Sequence, residues 1–170
     1  MSATHYIEQV ITNRKNEAHR HYFYGLVRAA VAAAESACPA ASIEGDALSK
    51  VSSHLRRDPV DPAGLEDLLS QQQLFDMAQA LKQRAQNGRA DTYAAYSAVY
   101  AAYTMKSVYA AFGYRAVMEA AQFAEQHLAA SYPDARNRVI RAMVMQLSLC
   151  GLDHDTYIEM IGGRVREVFS

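Results

Sequence analysis

The chain has 170 residues with 17 basic and 18 acidic side chains, a formal net charge of −1, no Trp, eight Gly and four Pro. A near-neutral balance gives no global attraction to nucleic acid or to anionic lipid, and the length suffices for a core that needs neither metal nor disulfide support. Alanine abundance without runs of β-branched residues points to an all-α fold, read as a single-domain irregular bundle of about six helices spanning residues 1–170, with an internal break at 58–62.

Ser2 or Thr4 can cap a first helix whose less polar positions, Ile7, Val10, Ile11, Ala18, Tyr22, Leu26, Ala29 and Ala33, recur with a period near 3.6. It ends near Cys38-Pro39, and a break around Asn13 to Asn16 would divide so long an element. Within it, Gly25 to Glu35 is the nearest approach to a membrane or secretion segment. Arg28 and Glu35 interrupt it, so it reads as a helix interior and the expected location is the cytoplasm. Ser42 caps a shorter helix through Leu48, Val51 and Leu55, and Asp58-Pro59 to Asp61-Pro62 breaks the chain.

Asp61 followed by Pro62, with Glu66 and Asp67 in the early turns, predicts the start of a third helix. Its apolar side runs Leu65, Leu68, Leu69, Phe75, Ala78 and Leu81. Lys82 and Arg84 lie near its end, and Asn87-Gly88 supplies a left-handed stop. Asp91 then caps one long helix through Tyr109, Tyr114, Val117, Phe123 and Leu128 to Tyr132-Pro133, with Gly113 as its weak point. Asp134 opens a further helix with Val139, Ile140, Met143, Val144 and Leu147 inward, closed by Gly151. Asp153 caps a short one, Tyr157 to Ile161, ahead of Gly162-Gly163.

The long helix carries Tyr93, Tyr96, Tyr100 and Tyr103 at alternating three- and four-residue steps among alanines, which places the phenols on one face. Small alanines let the other faces approach neighbouring helices closely, leaving the rings as the main contacts. Two uses follow: the rings fill gaps in a core, or they form a stiff interface with polar tips.

Motifs that name a chemistry are missing. Glu17, His19, Arg20 and His21 form the densest polar cluster, but Glu-x-x-His, His-x-x-x-His and His-Glu-x-x-His spacings are absent, and His5, His54, His127 and His154 stand alone. Gly-x-Ser-x-Gly, phosphate loops and dinucleotide fingerprints are also absent. Cys38 and Cys150 have neither metal-type spacing nor a neighbouring His, and read as reduced structural thiols, with a disulfide between them as the alternative. His154 between Asp153 and Asp155 resembles an acid-base group, though capping and helix-dipole roles explain both carboxylates. Met145 to Ile161 has the cadence of a helix-turn-helix, yet its would-be recognition helix carries Asp153, Asp155 and Glu159 where a phosphate-lined groove requires cations.

The resulting expectation is a small soluble module that binds another protein by occlusion, as an inhibitor or immunity-type partner, an adaptor or a chaperone. It would have no catalytic residue, cofactor or metal, and neither nucleic acid nor membrane as partner. The contact residues expected are Tyr93, Tyr96, Tyr100 and Tyr103, with Arg136 and Arg141 as rim charges. A rival is an enzyme or small-ligand binder with a cavity lined by tyrosines and Met105, Met118, Met143 or Met145. A homodimer built on the tyrosine helix is the third reading.

Overall fold

A computed structural model describes residues 17–56, 69–104 and 110–149. In those residues six helices pack together and no strand occurs: α1 Glu17–Ala37, α2 Ile43–Arg56, α3 Gln71–Ala85, α4 Ala90–Thr104, α5 Ala110–Ala129 and α6 Ala135–Leu149. None of them is long and apolar enough to cross a membrane. The predicted Ser2 or Thr4 cap, the break near residues 13–16, the Asp58 to Pro62 breaker and everything from Cys150 onward lie outside the described residues.

Local chemistry explains the helix ends. Ser42 caps α2 as its sequence predicts: its hydroxyl accepts the Gly45 N–H at 3.0 Å and its carbonyl accepts the Asp46 N–H at 2.9 Å. Gly45 is required here because a Cβ at that position would stand 2.1 Å from the Pro39 carbonyl oxygen. Gly88, at φ +82°, is the left-handed residue that stops α3. Asp134 opens α6, its carbonyl accepting the Arg138 N–H at 3.0 Å.

Two predicted helices are shorter than their periodicity implied. The third does not run on from Pro62 through residue 70, because Ser70 is an extended N-cap at φ −70°, ψ 161°. Its hydroxyl accepts the Gln73 N–H at 3.1 Å, and the Gln73 side chain accepts the Ser70 N–H at 2.9 Å. That reciprocal capping box starts a new helix. The face of α3 also differs: Leu74, Ala78, Leu81 and Ala85 are buried, while Phe75 is 38% exposed at the edge.

The second correction concerns the predicted helix from Asp91 to Tyr132. Tyr93 stacks on Phe123 with ring centroids 5.1 Å apart. In one straight helix residues thirty positions apart would be about 45 Å apart, so the chain turns back and α4 and α5 lie side by side. α4 ends at Thr104 and α5 begins at Ala110, so Gly113 sits within α5. Asp91 is also one position inside the helix rather than its cap, since the Arg89 carbonyl accepts the Tyr93 N–H at 3.1 Å.

The Tyr-bearing α4 stands near the middle, packed against α1, α2, α3 and α5. Ala94, Ala95, Ala98, Ala101 and Val99 are fully buried, as expected of a helix that meets its neighbours through methyl groups. The same core takes in Leu26, Val27 and Ala33 of α1, Leu48, Val51 and Leu55 of α2, and Val139, Ile140, Met143 and Val144 of α6.

Candidate functional site

The four tyrosines are neither sealed in the core nor free of it. Each is half-buried, and Tyr96, Tyr100 and Tyr103 lean on core residues. Their rings hold one another: Tyr96 to Tyr100 is 5.9 Å between centroids, Tyr100 to Tyr103 is 6.0 Å, and Tyr103 to Phe75 of α3 is 5.5 Å. Tyr93 instead turns toward α5 and Phe123. The predicted stripe is thus a three-ring ladder extended by Phe75, with Tyr93 paired to Phe123 rather than to the next tyrosine. Phe75 and Phe123 were legible only as core positions, because sequence spacing shows faces and not which helices adjoin them.

Among the described residues none of the four phenol hydroxyls donates a hydrogen bond, and each tyrosine is only partly buried. Burial raises Tyr96 above the ordinary phenol pKa, with Tyr100 and the negative charge of Glu119 adding to it, so this hydroxyl stays protonated and a donor at neutral pH. Aromatic pairs in such tilted geometry gain about 0.5–1.5 kcal/mol beyond area burial, which fixes the rings before any contact is made.

Arg136 and Arg141 belong to α6, whose largest contacts are with α1 and α5. Arg141 is exposed and Arg136 is half-buried with its Nε inside the protein. Between them Arg138 lies 3.9 Å over the Tyr132 ring, and its Nε donates to Asp134 at 2.9 Å. That hydrogen bond is the main reason the Asp134 carboxyl sits below its usual range.

A second constellation was not anticipated. Where the ends of α1, α2, α3 and α4 meet, Glu44 is 1% exposed and Thr92 is fully buried. The Glu44 Oε1 accepts from Arg84 Nε at 3.0 Å and from the Thr92 hydroxyl at 3.1 Å. Asp91 accepts from Arg89 Nη2 at 2.9 Å and from the Thr92 N–H at 2.9 Å. The Cys38 thiol donates to the Asp91 carbonyl at 3.4 Å. Burial alone would raise the Glu44 carboxyl, but its own backbone N–H, Arg84 and Thr92 outweigh it and hold it below the usual range. Burial likewise opposes Asp91, and Arg89, the Thr92 N–H and His127 bring it down. Both carboxylates lie in first turns of helices and Arg84 in a last turn, so each also complements a helix dipole. In the sequence Asp91 reads as a helix cap and Arg84 as a charge near a helix end, and Glu44 lies forty residues before Arg84, so nothing there joins the three.

This cluster fastens helices and is not set up for nucleophilic chemistry. Burial, with the charges of Asp91 and Glu44, pushes the Cys38 thiol up to about 12, and a protonated thiol is inert. The structural reading of Cys38 stands on that; Cys150 lies outside the described residues. His54 is buried and its Nδ1 accepts the Leu69 N–H at 3.2 Å, a core role. No group of three metal-ligating side chains gathers among the described residues.

A shallow open cleft between α1, α2 and α6 is lined by Arg28, Val31, Glu35, Ser52, Leu55 and Gln146, with room for little more than solvent. None of the tyrosines named for a cavity borders it. Met143 is buried in the core, Met145 is 65% exposed, and Met105 lies outside the described residues. No protein-family model, curated protein or solved structure matches the chain at a significant level.

Proposed function

We propose that this chain is a protein-binding module without catalytic activity, acting by occlusion through the tyrosine face of α4, in the manner of an inhibitor or immunity-type partner, an adaptor or a chaperone. The observation that carries the reading is a set of half-buried rings in mutual contact whose hydroxyls have no partner among the described residues. Tyrosine offers large contact area at low conformational cost and one polar tip, which is why it recurs in interface hot spots.

The test begins with affinity capture from the native source, wild type beside Tyr96→Ala/Tyr100→Ala, with folding of the variant checked by thermal melt. The captured protein is then titrated against both forms by calorimetry. The expected outcome is a loss on the order of 2 kcal/mol or more per hot-spot ring in a variant that still melts cooperatively. Undiminished affinity in the folded variant would refute the assignment of the contact to this face.

A further inference from the structure

Of the asparagines in the chain, Asn87 alone is followed by a glycine, which has no Cβ to shield its backbone nitrogen from close approach. Both residues are exposed, in the turn that follows the Gln86 cap of α3. The Asn87 carboxamide makes no hydrogen bond among the described residues, so it is free to rotate onto the next peptide unit. Gly88 stands at φ +82°, and the place a Cβ would take has no atom within 4 Å, which leaves that side open to solvent.

One contact opposes reaction at this pair: the Gly88 N–H donates to the Ala85 carbonyl at 2.9 Å. Bonds at a helix end open locally at little cost, and the net worth of a single hydrogen bond amounts to about a two- to tenfold brake. Asn137 is the contrast. It is half-buried within α6 and followed by Arg138, whose N–H is held by the Asp134 carbonyl at 3.0 Å inside the helical ladder.

We infer that Asn87 with Gly88 is a site of spontaneous deamidation, entered through transient opening of the α3 C-terminal hydrogen bond. Once the Gly88 N–H leaves the Ala85 carbonyl, base takes its proton and the amide nitrogen attacks Asn87 Cγ. The carboxamide nitrogen departs as ammonia, leaving a five-membered succinimide. Water then adds to either ring carbonyl. Breaking the bond from Cγ to the Gly88 nitrogen gives aspartate, and breaking the bond from the residue-87 main-chain carbonyl carbon to that nitrogen gives isoaspartate. One water is consumed, one ammonia is released and no electron is exchanged. Either product sets a carboxylate at the negative end of the α3 dipole, and isoaspartate also lengthens the main-chain path through the left-handed stop by one carbon.

The test holds the full chain at pH 8, folded and in denaturing guanidinium, and follows it by digestion after lysine and mass spectrometry. Cleavage after Lys82 and Lys106 releases residues 83–106, in which Asn87 is the sole asparagine, while Asn137 is the sole asparagine of residues 107–170. In the folded protein the 83–106 peptide gains one mass unit and isoaspartate, about two- to tenfold more slowly than in the unfolded chain, and the 107–170 peptide stays unchanged. Asn87→Gln, which would have to close a six-membered ring, abolishes the gain. A folded 83–106 peptide that stays unchanged while the unfolded chain converts fully overturns the inference, as does an equal gain in the 107–170 peptide or in the Asn87→Gln variant. A folded rate equal to the unfolded one overturns the gating by the helix end.

Discussion

Replacing Glu44 by Gln removes one negative charge from the junction of four helices while keeping side-chain volume. Two charge-assisted hydrogen bonds, from Arg84 at 3.0 Å and from Thr92 at 3.1 Å, lose their ionised acceptor. Such bonds are worth about 1.5–3 kcal/mol each in mutational series. The Arg84 side chain is 40% exposed and can turn its charge to water, so the full penalty of a stranded buried ion does not apply. The amide oxygen also remains as an acceptor. A net loss of about 2 kcal/mol follows, or about 4–8 °C in melting temperature for a domain of this size.

The pH dependence sharpens the test. Glu44 is held below its usual range when folded, so its contribution is complete above the unfolded carboxyl pKa of about 4.3. It is lost as pH falls through the lower folded value. Thermal melts of wild type and Glu44→Gln by circular dichroism should therefore differ by a constant gap from pH 7 to about pH 5, and the gap should close in stronger acid. A gap that persists unchanged at pH 2–3, or that is absent at pH 7, would refute the account of Glu44 as an ionised clasp.

Gly45→Ala should cost about 1–3 kcal/mol in urea unfolding, since the new methyl meets backbone at Pro39 and not a side chain that can swing away. Ser70→Ala removes half of the capping box and should lower stability by about 1 kcal/mol in the same assay, with the baseline helix signal at residues 71–85 retained. In a Cys150→Ser background, Cys38 should resist iodoacetamide at pH 8 in the folded protein and react readily in urea, because burial pushes its thiol up to about 12. Fast labelling under native conditions would contradict that burial.

Helix faces were legible in the residues, and helix neighbours were not. Ser42, Gly88 and Asp134 announce their turns through local chemistry, and the alanines of α4 announce a helix that packs closely on several sides. The capping box at Ser70 was hidden because Gln71, Gln72 and Gln73 look like a continuing polar helix face. The reversal between α4 and α5 was hidden because alanine-rich stretches on both sides keep helical periodicity across it. Glu44, Arg84 and Asp91 could be joined only once three helix ends were placed together, and the same holds for Phe75 against Tyr103.

The methyl-lined α4 makes the protein's tolerance to change lopsided. At Ala94, Ala95, Ala98 and Ala101 nothing remains to trim, and almost any replacement adds bulk where four helices converge, at about 1–3 kcal/mol each. Diversity along this helix is thereby channelled to the half-buried ring positions, where the outer edge of a side chain can change provided its inner edge still fills the contact with the core. Selection or a designer could thus alter the outer edges of Tyr96, Tyr100 and Tyr103 more readily than the alanine axle that carries them.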